Sequence, residues 1–334
     1  MLFKRLKTIL LLLLSLPLCA AAGPFSSLFV FGDSLSDTGN LIGTGSVRPF
    51  PFAGPYDGGR FSNGPLWVEY LAAGLGLPGQ AAPVIFGGNN YAFAGALTGT
   101  VPAPPADPIP GVLAQAVGLW GAGGLGAPHG AADPNALYVV VAGGNDMRAA
   151  RSLFTSNSVS DHLGRQAAAA AAINNLTTTL GYLASLGAKN ILISTLPDLG
   201  FTPEAALLGL QTASSDATNL FNALIPNLMF AGSNLFGLHM NLLDLGGLTN
   251  SLHNNPASFG ITDISHPCLG FVFSTGVSCD QSAFSDILHP SAYVHSLIGR
   301  QALLVFGIPE PGSVALFGLA LMALVVLRRR AGAA

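Results

Sequence analysis

The chain has 334 residues, half of them hydrophobic and only 9% charged. Between residues 23 and 308 it holds 7 basic and 15 acidic side chains, a net charge near −8. So few Lys and Arg exclude a nucleic-acid binder, because phosphate contacts require them.

In chain order, Lys4, Arg5 and Lys7 come first, followed by an apolar run from Ile9 through Leu18 and then Ala20-Ala21-Ala22. This charged, apolar, small-residue order predicts a secretory signal over residues 1–22, cut by signal peptidase after Ala22. Cys19 is not read as a lipid-modified residue, since Leu18 precedes it where a small residue is required. Export leaves Cys268 and Cys279 as the cysteines of the mature chain. In an oxidising compartment the two are expected to pair, the alternative being two buried free thiols.

The next element is the apolar run Ser27-Leu-Phe-Val-Phe31, ending at Gly32. An unbroken run of this length suits a strand covered on both faces, as in a parallel sheet. A helix is expected over Pro65–Leu75, opening after Asn63, with Trp67, Tyr70 and Leu71 on one face. Residues 99–135, full of Gly, Pro and Ala, read as an insertion or long loop bordering the active site. A second strand is predicted over Leu137–Val141, a long helix over Gln166–Leu186 stopped by Gly187, and a third strand over Asn190–Thr195. Ser291–Phe306 reads as a closing helix. Strands alternating with helices predict one α/β domain over residues 23–308, with helices on both sides of a mainly parallel sheet.

In such sheets ligands gather beyond the carboxyl ends of the strands. Ser34 stands there, in Gly32-Asp-Ser-Leu35 directly after the first strand, where the next helix N-terminus can offer N–H donors. Asn145 follows the second strand in Gly143-Gly-Asn-Asp146, and Gly95 lies in Asn90-Tyr-Ala-Phe-Ala-Gly-Ala96. Near the end comes Asp286-Ile-Leu-His289-Pro290. These four blocks, in this order, resemble the GDSL/SGNH hydrolase family along nearly all of residues 26–306. Gly59-Arg-Phe-Ser-Asn-Gly64 and Leu196-Pro-Asp-Leu-Gly200 are also typical of it. The resemblance implies a three-layer α/β/α, flavodoxin-like fold and an esterase acting on lipid, short-chain acyl or acetylated polysaccharide esters, with no cofactor.

The residue chemistry fits that implication. A serine hydroxyl is a weak nucleophile until a base takes its proton, and histidine titrates near neutrality. Asp286, three residues before His289, can fold back and orient the imidazole. The backbone N–H groups of Ser34 and Gly95 and the side-chain amide of Asn145 are the candidate oxyanion donors. Asp263-Ile-Ser-His266-Pro267 repeats the same spacing. Asp286/His289 is preferred because the closing helix follows it, whereas His266 adjoins Cys268 in an expected surface loop. His129, His162, His239, His253 and His295 are expected to be surface or packing residues. Asp33 and Asp37 are read as braces of the Ser34 turn rather than metal ligands. No Gly-x-Ser-x-Gly occurs, which argues against an ordinary nucleophile elbow.

After residue 308 come Pro309-Glu-Pro311, an uncharged apolar stretch from Gly312 to Leu327, and Arg328-Arg-Arg330. This order resembles a PEP-CTERM sorting tail over residues 309–334, which implies cleavage by an exosortase-type protease; the alternative is a simple membrane anchor over 312–327. Both place the folded part outside the cytoplasm, as an inner-membrane-anchored precursor bound for the cell surface or the medium.

Overall fold

The structure is a computed structural model and describes residues 23–44, 57–100, 109–121, 130–269 and 276–308. The expected signal and sorting segments lie outside the described residues. The three predicted strands form as β1 (Leu28–Gly32), β2 (Leu137–Val141) and β3 (Asn190–Ser194), and β4 (His239–Leu243) adds a fourth. All pair in parallel, in the order β1-β2-β3-β4. Residues 89–93 run along the free side of β1, with Val30 N donating to Asn89 O (3.1 Å) and Tyr91 N to Val30 O (2.7 Å). Counting that ribbon, the order is 2-1-3-4-5, the flavodoxin-like arrangement. The chain leaves β1 on one side and returns on the other, so a crevice opens beyond the carboxyl end of β1.

Alternation along the strands divides the core in two. Phe29, Phe31, Tyr138, Val140, Ile191 and Ile193 face one layer, where α3 (Val159–Ser185) and α5 (Gln211–Phe230) bury Leu176, Leu180, Phe221 and Ile225. Leu28, Val30, Leu137, Val139 and Leu192 face the other. There α1 (Trp67–Gly74), α6 (Leu245–Asn254) and α7 (Ala292–Val305) supply Trp67, Leu71, Leu252 and Ile298. The unbroken apolar runs of β1, β2 and central β3 therefore have a layer to fill on each side. Two further helices, α2 (Gly144–Leu153) and α4 (Pro203–Leu208), flank the site.

The structure corrects three of the predicted segments here. Helix α3 begins at Val159, seven residues before the expected start. Its first turns lack the Ala/Leu stripe and are held instead by Ser158 capping Asp161 N and by buried Arg165 donating to Asp216 (2.6 Å). Residues 99–135 are not all loop, since 112–121 are helical. Trp120 from that turn is buried against Phe29 and Tyr138, and Gln115 bonds both Gly32 N and Gly32 O at 2.9 Å. Third, Asp263–Pro267 is a strand, β5, paired with β6 (Ser282–Phe284), rather than a loop.

Cys268 and Cys279 are joined by a disulfide. It closes a loop with a sequence separation of 11 beside β5 and β6. Loop closure of this length is worth ~2–3 kcal/mol. Urea unfolding of the oxidised protein and a Cys268→Ser/Cys279→Ser variant should differ by about that amount.

Candidate active site

Ser34 sits in the first turn beyond β1 and is buried. Asp33 builds that turn: its carbonyl accepts from Ser36 N and Asp37 N (both 3.0 Å), and its carboxylate accepts from Leu35 N (3.0 Å). Asp37 accepts from Gly39 N, Asn40 N, Leu41 N and Ala94 N at 2.6–3.2 Å. The helical turn Asn40–Gly43 thus gives its first N–H groups to Asp37, so the expected helix N-terminus is not the donor source at Ser34. Burial pushes the carboxyls of Asp33 and Asp37 up to about 6, although backbone N–H groups pull both back.

His289 is presented by the tight loop between β6 and α7. One oxygen of buried Asp286 accepts from Leu288 N (2.7 Å) and His289 N (2.6 Å), which closes the loop on itself. The other oxygen lies 2.8 Å from His289 Nδ1, and His289 Nε2 lies 2.9 Å from Ser34 Oγ. The Gly59–Gly64 block braces this loop. The Phe61 ring lies 5.2 Å from the His289 ring, and Ser62 Oγ donates to Pro290 O (3.0 Å). Asn63 does not open α1; its side chain accepts from Ala292 N (2.8 Å) and so serves the start of α7.

Gly95 has φ +83°, backbone that glycine adopts without strain. It is held from both sides, by Ala94 N on Asp37 and by Asn145 Nδ2 donating to Ala96 O (3.0 Å). Asp146 anchors the same segment by accepting from Thr98 N and Thr98 Oγ1, and burial raises its carboxyl to about 6. Among the described residues, neither Ser34 N nor Gly95 N donates to a protein acceptor.

An apolar cleft opens onto Ser34, Asn145 and His289, walled by Leu35, Leu199, Phe201, Leu252, Ile264, Phe284 and Leu288. Sequence reasoning missed several of its residues. Phe201 and His253 stack with ring centroids 3.7 Å apart, so His253 lines the cleft. Arg148 also lines it, paired with Glu204 of α4. Its only sequence signal was a cation three residues after Asn145. His266 has an exposed side chain and bonds Asp263 (3.2 Å), apart from this row. His162 pairs with Asp216, and His295 is fully buried, accepting from Trp67 N (3.3 Å). His129 lies outside the described residues.

The buried carboxyls set a pH dependence of stability. An acid whose folded pKa lies above its unfolded value makes the native state bind more protons between the two, so stability falls as pH rises through that window. For Asp33 the window runs from the ordinary aspartate value of 3.8 to about 6. Asp33→Asn keeps an acceptor for Leu35 N and removes the titration. Its unfolding free energy relative to the parent should therefore improve by ~1–3 kcal/mol between pH 4 and pH 7.5, as urea denaturation would measure.

A hydroxyl, an imidazole and a carboxylate in one hydrogen-bonded row, at the switch point of a helix-covered parallel sheet, define an SGNH-type α/β protein. The chain belongs to the GDSL-like lipase/acylhydrolase family, whose model matches residues 28–302. Residues 307–330 match the PEP-CTERM protein-sorting motif, which marks an exported protein with a sorting tail. Esterase EstA of Pseudomonas aeruginosa is 31% identical, covering 84% of this chain and 46% of that protein. The phosphatidylcholine-sterol acyltransferase of Aeromonas hydrophila is 27% identical over 78% of this chain and 71% of its own. The chain thus spans about half the length of the first curated relatives it matches. An extracellular lipase of Streptomyces rimosus has 17% identity and a TM-score of 0.42, covering 85% of this chain and 100% of that one.

Proposed function

We propose that the protein is an exported serine esterase that hydrolyses carboxylic esters through an acyl-enzyme on Ser34. The observation that carries this reading is the row Ser34 Oγ–His289 Nε2 (2.9 Å) and His289 Nδ1–Asp286 (2.8 Å). As Ser34 Oγ attacks the acyl carbon, its proton passes to His289 Nε2, and Asp286 holds the ring and stabilises the imidazolium. The carbonyl oxygen becomes an oxyanion facing Ser34 N, Gly95 N and the Asn145 amide. Collapse expels the alcohol, which takes the proton from His289. Water then gives a proton to His289 and attacks the acyl carbon, the acid leaves, and Ser34 recovers its proton. No cofactor enters this cycle.

The apolar cleft favours an acyl chain of a lipid or short-chain ester over a lone acetyl group. Burying one methylene contributes about 0.8 kcal/mol. The expected result with p-nitrophenyl esters from acetate to palmitate is a several-fold rise in kcat/KM from acetate to butyrate. A preference for acetate would move the assignment to acetylated polysaccharide. Lack of hydrolysis together with lack of fluorophosphonate labelling would leave a binding protein on a hydrolase fold. In the cell, we propose removal of residues 1–22 by signal peptidase. A membrane-held precursor is then cut near residue 309 by an exosortase-type protease and released to the surface or medium. The sorting-motif match supports that route.

A further inference from the structure

Arg148 projects from α2 into the cleft, one helical turn after Asn145. A cation in an ester-binding cleft invites assignment as a site for an anionic substrate group. Its bonding argues otherwise. Arg148 Nε and Nη2 both go to the Glu204 carboxylate, and Glu204 also takes Arg151 Nη2. Arg148 Nη1 points at Asn145 Oδ1, 3.4 Å away. The guanidinium is thus a planar wedge between a carboxylate and an amide, a geometry a lysine ammonium does not reproduce.

We propose that the Glu204–Arg148 pair is a positioning device for the oxyanion donor Asn145, a proposal that rests on the esterase reading above. An amide can rotate by half a turn and exchange its oxygen for its nitrogen. Arg148 holds the oxygen end, because the reversed amide would set N–H donors against a cation. Ala96 O accepts one N–H from the nitrogen end at 3.0 Å, and an amide nitrogen carries two. The cation beside Oδ1 also polarises the amide toward stronger donation. Glu204 ties this arrangement to the opposite wall: its backbone N donates to Ile287 O (2.7 Å), inside the loop that presents His289. One residue thereby joins the oxyanion side of the site to the base side.

The test is a double-mutant cycle on kcat for a p-nitrophenyl ester, using Asn145→Ala, Arg148→Met and the double variant, with Arg148→Lys beside them. Arg148→Met is expected to lower kcat by about tenfold or more with KM within about twofold, since the lost interaction acts on the transition state. In the Asn145→Ala background the same change should cost less than about twofold, which a merely structural role would not produce. Arg148→Lys keeps the charge opposite Glu204, so it serves if Arg148→Met fails to fold, and it should show the same coupling. Equal losses in both backgrounds, or a rise in KM with kcat unchanged, would overturn the proposal, the latter making Arg148 a substrate contact. If Asn145→Ala and Ser34→Ala both retain full activity, the esterase reading itself has failed.

Discussion

Ser34→Ala is expected to lower ester hydrolysis by about 10⁴-fold or more, and His289→Ala by a comparable factor, with little further loss in the double variant. In the proposed cycle the two groups act as a unit. Without His289 no base among the described residues lies against the Ser34 hydroxyl, and without the hydroxyl the base has nothing to activate. Residual turnover would come from binding and the oxyanion donors alone. His266→Ala should stay within about twofold of the parent, because that imidazole is exposed and bonded to Asp263. Thermal melts distinguish lost chemistry from lost folding.

The largest expected effect on stability is at Glu204. Its carboxylate faces two guanidinium groups, and the Arg151 side chain is 2% exposed. Burial opposes the charge on Glu204, but Arg148 and Arg151 outweigh it, so its pKa lies below the ordinary glutamate value. Glu204→Gln keeps a neutral acceptor but strands a buried cation, and breaking a buried pair in this way costs about 3–5 kcal/mol. For an acid with a depressed folded pKa, the contribution is fully present above the unfolded value and is lost as pH falls through the folded one. The deficit of Glu204→Gln should therefore be full at pH 7 and shrink below about pH 4, as urea midpoints would record. Asp33, Asp37 and Asp146 titrate in parent and variant alike, so their opposite slope cancels in the difference.

Much of the fold is written locally. The strands β1 and β2 and the centre of β3 (Ile191–Ile193) are unbroken apolar runs, and only a sheet covered on both faces accepts that pattern. The row Ser34, Asp286 and His289 was legible for a similar reason, because each residue sits in a short block whose neighbours close its own turn: Asp33 for Ser34, and Asp286 for the His289 loop. Contacts across long sequence separations were not legible. Asn63 looked like the start of its own helix, yet it accepts from Ala292, 229 residues away. Trp120 and Gln115 sit in a Gly/Ala/Pro-rich stretch that hides two anchors of β1. Arg148 gave no sign of its pairing, since its partner Glu204 stands 56 residues further on and only the packing of α4 against the site brings the two together.

The esterase proposal stands or falls with Ser34 as an activated nucleophile. The most direct measurement is fluorophosphonate labelling of the folded protein, followed by proteolysis and mass mapping of the modified peptide. One label is expected, on the peptide holding Ser34, absent in Ser34→Ala and strongly slowed in His289→Ala. A label on another serine, or none on protein whose melt shows it folded, would contradict it.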